Sequence, residues 1–466
     1  MQTPTASQTT SNHGGAAQQG DSPAAVRSGG RDMRMNIVHI GAEELNYEIR
    51  QIAEVARKIE AMSGREIYWE NIGDPVQKGE QIPMWIKDIV SEAVYDNSTY
   101  GYSPTRGLGE AREFLAARSN ALGGVQITAD DIIFFNGLGD AINKVYYMLR
   151  REARVIGPSP AYPTHSSAEA SHAGYPPITY SLDPHNGWMP DLDELRNKVK
   201  FNESIAGIMI INPDNPTGAV FPREVVAEMV EIARQYDLFI VADEIYANMV
   251  FNKQERYAPI AQLAGDVPAI ALKGISKEMP WPGARCGWMK VYNQDTHPTF
   301  RKYVKSILDA KMLEVCSTTL PQKVIPKILG HRNYPAYLAG RNEFYKKRSD
   351  RIGEIFADCP GVIANPPDGA FYVSLVFTAQ LSSKMNLKIA DAKIREYIQT
   401  LTPDTIAPDR KFVYQLLASR NICVVPLSSF VTDLQGFRCT LLEQDDARFE
   451  MVYASIAAAI REFLAS

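Results

Sequence analysis

The stretch Ile205-Ala206-Gly207-Ile208-Met209-Ile210-Ile211 runs directly into Asn212-Pro213-Asp214-Asn215-Pro216-Thr217-Gly218. An isoleucine-rich run with no polar alternation suits a strand buried on both faces, the situation of a central strand in a parallel sheet. The Asn/Pro/Gly cluster then stops it. Pro222 opens a helix carrying Val225, Val226, Met229, Val230 and Ile232. Leu238–Ala242 and Ala269–Leu272 are two further buried-strand runs. Strands alternating with helices imply a parallel sheet with right-handed crossovers. Such sheets bind ligands at the carboxyl ends of their strands, and the polar residues sit there. The first strand ends in the Asn212–Gly218 stretch, the second in Asp243-Glu244-Ile245-Tyr246, and the third leads to Ser276-Lys277. Packing does not call for polar groups at three successive strand ends, so these ends mark a binding or catalytic site.

Outward from this centre the chain continues the same rhythm. Leu45–Ser63 has helical spacing through Ile49, Ile52, Val55 and Ile59. Ile67–Pro75 reads as a short strand ending in a turn at Gly73, and Tyr100–Gly107 as an aromatic loop before a helix over Gly109–Asn120. Ile132–Phe135 is followed by Asn136-Gly137-Leu138-Gly139-Asp140 and a helix to about Leu149. A strand, a glycine turn and a helix N-terminus together form an anion site, although a plain strand-to-helix connection has the same sequence. Val155–Gly157 leads into a Pro-rich loop presenting Tyr162. The last third reads as a smaller α+β domain, with helices over 299–312, 336–356, 411–419 and 445–464 and strands over 369–373, 422–425 and 437–441. The polar segment Thr378–Asp409 reads as a surface loop or an inserted excursion near the site.

Composition bounds the function classes. With 466 residues the chain suits two or more domains in contact. A hydrophobic fraction of 45% is ordinary for a globular protein, and a net charge of −5 argues against a nucleic-acid partner. Five scattered cysteines (Cys286, Cys316, Cys359, Cys423, Cys439) show no metal-binding spacing and fit free thiols in a reducing, cytoplasmic compartment. There is no apolar run long enough to span a membrane. Residues 1–34 are Ser/Thr/Gln/Gly/Ala-rich and nearly free of large apolar side chains, so a disordered tail is expected.

The third strand end carries the most specific chemistry: Ser276-Lys277-Glu278-Met279-Pro280-Trp281-Pro282-Gly283-Ala284-Arg285-Cys286-Gly287-Trp288. A lysine amine forms a Schiff base with a carbonyl, and a guanidinium fork suits a phosphate. Pyridoxal 5′-phosphate (PLP) carries both an aldehyde and a phosphate. A Ser-Lys pair alone is also what a solvated surface lysine looks like. Lys273 is the rival amine; it lies within the strand-like run and fits a structural ion pair better.

Asn-Pro-Asp-Asn-Pro-Thr-Gly, Asp-Glu-Ile-Tyr and Ser-Lys-x5-Gly-x-Arg-x-Gly, in that order, resemble the class I/II aminotransferases of PLP fold type I. The resemblance runs from about Leu45 to the C-terminus. It looks closest to the bacterial alanine-type enzymes, through Tyr47-Glu48-Ile49-Arg50, Trp188–Asp193 and Ile210–Pro213. It implies an α/β fold, with a mostly parallel seven-stranded sheet flanked by helices over residues 76–330. A small α+β domain over 331–466 would be joined by an N-terminal segment, 35–75. It implies that Lys277 holds the cofactor as a Schiff base and shuttles the reacting proton. Asp243 would pair with the pyridinium nitrogen, Asn215 and Tyr246 with the ring 3′-oxygen, and Tyr162 would stack on the ring. Gly137, Leu138, Gly139, Ser276 and Arg285 would cup the phosphate. Tyr102 would reach the phosphate of a neighbouring subunit, giving a homodimer with shared sites. Arg438 would grip the substrate α-carboxylate, with Gly73 offering a backbone contact and Tyr47 and Arg50 lining the pocket.

The chain departs from the family pattern in lacking a Ser or Thr in the 136–140 turn, in Leu427 where glycine is usual, and in the segment before Lys411. The expected activity is amino-group transfer from an amino acid to a 2-oxo acid by a ping-pong cycle. No second arginine is assignable to a side-chain carboxylate, which favours a neutral or alanine-type donor over aspartate. The alternatives on the same scaffold are a PLP-dependent lyase, such as a C–S lyase, or a decarboxylase. A PLP-binding regulator is the non-enzyme alternative, and the N-terminal tail is too short and polar for its DNA-binding domain.

Overall fold

The structure, a computed structural model, describes residues 35, 37–44, 48–382 and 384–466. The expected tail and Tyr47 lie outside the described residues, as does the side chain of Arg50. Residues Ile40–Ser466 form a single unit by their contacts.

The strands, in chain order, are β1 (Tyr68–Trp69), β2 (Ile132–Phe135), β3 (Arg154–Ser159), β4 (Thr179–Asp183), β5 (Met189–Pro190), β6 (Ile205–Ile211) and β7 (Phe239–Asp243). They continue as β8 (Ala269–Gly274), β9 (Gly287–Tyr292), β10 (Val362–Ala364), β11 (Tyr372–Phe377), β12 (Ile422–Cys423), β13 (Val425–Pro426) and β14 (Gly436–Thr440). The large sheet has the order β2-β9-β8-β7-β6-β3-β4-β5. Pairing is parallel from β8 through β4, and antiparallel where β9 and β5 enter. The sheet is thus mostly parallel, with eight strands where seven are expected. The additional one, β5, is two residues long and too short to show a period.

The apolar runs are continuous because the large sheet is covered on both sides. Ile208 and Ile210 of β6, Ile240 and Ala242 of β7, and Ala269 and Ala271 of β8 enter one core cluster. The residues between them, Met209, Ile211, Val241, Ile270 and Leu272, enter another. Alternation survives as a choice between two cores rather than between core and water. Lys273 shares the parity of Ala269 and Ala271, opposite Trp288 of β9. The ion pair expected for it is not formed among the described residues.

A third cluster surrounds an antiparallel sheet of order β10-β11-β14-β13. It gathers Phe371, Phe412, Phe437 and Phe463 together with Ile52, Ala56, Ile59 and Ile67 from the N-terminal segment. Two expectations change here. The run 422–425 is not one strand: β12 pairs in parallel with β1, whereas β13 pairs with β14. The polar segment 378–409 contains a helix, Ala392–Leu401, N-capped by Asp391, whose carboxylate accepts from the amides of Lys393 and Ile394. Ile394 and Ile398, one turn apart, bury its inner face, and Tyr397 receives the Lys58 ammonium 3.9 Å from its ring centre. No helix among the described residues is long and apolar enough to cross a membrane.

Candidate active site

The carboxyl ends of β6, β7 and β8 open onto a cavity of about 350 Å³. Its wall includes Leu138, Gly139, Tyr162, Asn215, Asp243, Tyr246, Ser276, Lys277 and Arg285, all expected from the sequence. Ile142, Thr164, Ile245 and Tyr372 also line it. Residues up to 234 positions apart in the chain meet here, most of them because the strands of the large sheet are adjacent.

One end of the cavity is built for an anion. Helix Leu138–Tyr147 begins there with no side-chain cap, leaving its first amides without an intrahelical partner. Arg285, held in a left-handed conformation with φ 49°, lies against the same turn. Gly137 has φ 88°, and a Cβ on it would stand 2.5 Å from Arg285 Nη2. The turn is therefore a cradle that only glycine leaves open. Gly137→Ala should displace Arg285 and strain a backbone region nearly exclusive to glycine. We expect a loss of roughly 1–3 kcal/mol in apoprotein stability and about tenfold weaker retention of a phosphate-bearing ligand, measured by chemical denaturation and by a binding titration.

At the end of β7, Asp243 is buried, with Oδ2 3.0 Å from His165 Nε2. Its Oδ1 accepts from the Ile245 amide at 3.0 Å. His165 sits in the helix Pro163–Ala173, one turn from Tyr162, and its Nδ1 is a buried atom without a hydrogen-bond partner. The sequence reading missed it; nothing in its local context announces a carboxylate 78 residues away.

In the loop after β6, only Asn215 of the Asn/Pro/Asp stretch lines the cavity. Asn212 is spent on Phe221, donating to its carbonyl at 3.1 Å and accepting from its amide at 2.9 Å. Asp214 accepts from the Thr217 hydroxyl at 2.6 Å and from its amide at 3.1 Å. Burial pushes the Asp214 carboxyl up to about 7, against these two bonds, which lower it. The motif is mostly a device that knits a tight loop around one outward-facing amide.

Asn215 Oδ1 accepts from Arg438 Nη1 at 3.0 Å, which leaves the amide nitrogen as the donor available to the cavity. Arg438 Nη2 donates to the Asn71 carbonyl at 2.9 Å. The guanidinium lies between the rings of Tyr372 and Phe430, 4.5 Å and 5.0 Å from their centres. It is 3% exposed, its Nε is a buried atom without a hydrogen-bond partner, and the two bonds named go to neutral acceptors. A cation held this way is suited to an incoming carboxylate.

Lys277 Nζ donates to the Gly73 carbonyl at 2.6 Å and lies 5.5 Å from the Phe371 ring centre. Its main chain is fixed from behind. Arg341 Nη1 donates to the carbonyls of Lys277 and Glu278, both at 2.9 Å, while Arg341 Nη2 donates to Glu80 Oε2 at 3.0 Å. Tyr345 Oη donates to the same carboxylate oxygen at 3.1 Å. Arg341→Met should strand the Glu80 carboxylate and cost roughly 3–5 kcal/mol of stability, read from denaturant unfolding. Tyr246 Oη donates to Tyr372 Oη at 3.2 Å.

Gly73, Gly137 and Arg438 adjoin the wall through Lys277, Arg285 and Asn215 without being part of it, which leaves Tyr102 and Tyr47. Tyr102 is 87% exposed and away from the cavity of its own chain, and Tyr47 lies outside the described residues. Among the described residues no cluster of three or more His, Cys, Asp or Glu side chains could hold a metal ion.

Residues 71–455 match the family described as aminotransferase class I and II. An uncharacterized aminotransferase of Methanocaldococcus jannaschii is 56% identical over 433 residues, covering 93% of this chain and 100% of that protein. Glutamate-pyruvate aminotransferase AlaA of Escherichia coli K12 is 32% identical over 335 residues, 71% of this chain and 80% of that one. Among solved structures, an alanine aminotransferase from Pyrococcus furiosus superposes with a TM-score of 0.78 at 25% identity, covering 93% of this chain and 100% of that one.

Proposed function

This chain belongs to the class I and II aminotransferase family, whose members use PLP, and from that premise we propose a substrate and a role for each site residue. The enzyme transfers an amino group from an amino acid to a 2-oxo acid. We take the donor to be a small neutral amino acid of the alanine type, with pyruvate as the matching 2-oxo acid. The observation that carries this reading is Arg438, a buried cation bonded to Asn215 and Asn71 and able to take an α-carboxylate. Lys277 and Arg285 are the cations of the cavity wall among the described residues, and Arg438 lies behind it against Asn215 and Tyr372; with the first two committed, Arg438 is the one left for a substrate carboxylate, which fits a donor with a single one. The name of the E. coli relative, a glutamate-pyruvate aminotransferase, supports pyruvate, and so alanine, as one substrate pair.

The residues present fit the cofactor, as the Gly137 cradle illustrates. When bound, PLP supplies an aldehyde that exchanges between amines and a ring that draws electrons from the attached carbon. Lys277 is the amine that holds it and moves the proton at the reacting carbon; its backbone clamp restricts where Nζ can go. Asp243, oriented by His165 and the Ile245 amide, holds a proton on the ring nitrogen. Asn215 Nδ2 and Tyr246 Oη would donate to the ring oxygen, and Tyr162 would cover the ring face. Gly137, Leu138, Gly139, Ser276 and Arg285 bind the phosphate.

Exposed Tyr100, Tyr102, Leu313 and Val315 lie on two segments joined by the Thr105 Oγ1–Val315 carbonyl bond of 3.0 Å. Such an apolar face supports a homodimer in which Tyr102 serves the partner's site. Within the division into segments 35–75, 76–330 and 331–466, the packing of the first against the last is supported by the shared core of Ile52, Ile59 and Phe412. The five free cysteines support a cytoplasmic location. The test of substrate class is a panel of amino donors on the purified holoenzyme, with pyruvate formation from L-alanine as the expected best case. A preference for aspartate would overturn it.

A further inference from the structure

We propose that Tyr372 is a positioning residue whose hydroxyl hydrogen-bonds Tyr246 and thereby sets the acidity of the Lys277 nitrogen in the loaded enzyme. The proposal rests on the reading above that Tyr246 donates to the ring oxygen of PLP.

Tyr372 opens β11 and is 3% exposed, yet lines the cavity. Three contacts place it. Its hydroxyl is 3.2 Å from that of Tyr246. Its ring meets the Tyr246 ring edge-on, with centres 5.9 Å apart, and carries the Arg438 guanidinium on its face. Its hydroxyl also fills the space a side chain at position 73 would occupy, so a Cβ on Gly73 would overlap it. Gly73 in turn offers the carbonyl that holds Lys277 Nζ. One phenol therefore touches the ring-oxygen side, the carboxylate side and the backbone facing the lysine.

Donor counting gives the direction. Each phenol has one proton to donate and can accept. Burial, followed by the nearby Tyr372 hydroxyl, raises Tyr246 well above the usual phenol range, so Tyr246 remains a donor. In this structure Tyr246 donates to Tyr372 at 3.2 Å; when Tyr246 spends its proton on the ring oxygen instead, the bond between the phenols must reverse and be donated by Tyr372. A hydroxyl that accepts one hydrogen bond donates a stronger one. A stronger bond to the ring oxygen neutralises part of its negative charge, and the adjacent Lys277 nitrogen then holds its own proton less firmly. The Tyr372 hydroxyl thus lowers the pH at which that nitrogen titrates. The other charged or titratable groups facing Tyr246 are Asp243 from the end of its own strand, Tyr162, Lys277 across the cavity, and Arg438 behind Tyr372.

The test is a pH titration of the visible absorbance of holoenzyme for wild type, Tyr372→Phe, Tyr246→Phe and the double variant. Tyr372→Phe removes one oxygen and keeps the ring on which Arg438 rests, so its KM for the amino donor and its melting temperature should stay near wild type. We expect its absorbance midpoint to rise by about half a pH unit, that of Tyr246→Phe to rise further, and that of the double variant to equal Tyr246→Phe alone. A Tyr372→Phe midpoint at the wild-type value while Tyr246→Phe shifts would overturn the proposal, as would two shifts that simply add. An unmoved midpoint in Tyr246→Phe would instead overturn the reading of Tyr246 itself. A change confined to KM or melting temperature would mark Tyr372 as structural only and would equally overturn it.

Discussion

Lys277→Ala should reduce amino-group transfer on the order of 10⁵-fold, the scale seen when a covalent catalytic group is removed. The expected cause is specific. Lys277 Nζ is the amine at the carboxyl edge of the sheet, held by the Gly73 carbonyl at 2.6 Å, and an alanine there can neither form the Schiff base nor carry the proton. The anion cradle at Gly137 and Arg285 and the carboxylate of Asp243 are untouched, so the variant should still bind PLP, now only non-covalently. Borohydride treatment followed by mass measurement distinguishes the two states. Wild type should retain a reduced adduct of one cofactor per chain, and Lys277→Ala none. A persisting adduct would move the assignment to another amine. Lys273 is poorly placed for that role, because it belongs to the sheet face of Ala269 and Ala271.

Arg438→Gln should lower kcat/KM for the amino donor on the order of a hundredfold, mostly through KM. A charge-assisted, forked hydrogen bond to a carboxylate contributes about 3 kcal/mol, and about 1.4 kcal/mol corresponds to a factor of ten. Glutamine can still reach one of the two neutral acceptors, Asn215 Oδ1 or the Asn71 carbonyl, so the pocket should not collapse. The visible spectrum of the bound cofactor should stay close to wild type, which separates a substrate-binding role from a cofactor-binding one. An unchanged KM would place the carboxylate elsewhere.

The parts of this architecture that were legible in the sequence are those in which a local pattern carries the information. The β6, β7 and β8 runs are apolar because both sheet faces are covered, and the residues ending them point to the ligand edge by topology alone. Residues that act through a tertiary neighbour left no such mark. His165, Arg341 and Tyr372 look like ordinary helix and strand positions until folding brings them to Asp243, Lys277 and Tyr246. The run 422–425 shows why periodicity cannot choose a partner. Val424 is buried between two short strands that belong to different sheets, and an unbroken apolar run reads the same in either case. Segment 378–409 misleads in the opposite sense, because polar composition hides the single buried face formed by Ile394 and Ile398.

The central claim is amino-group transfer at the Lys277 site, and a half-reaction tests it most directly. Purified holoenzyme is mixed with L-alanine in the absence of any 2-oxo acid while absorbance and products are followed. The account predicts loss of the visible band of the aldehyde form, one pyruvate released per active site, no free ammonia or carbon dioxide, and return of the band when a 2-oxo acid is added. Release of ammonia or carbon dioxide with the aldehyde band preserved would contradict it.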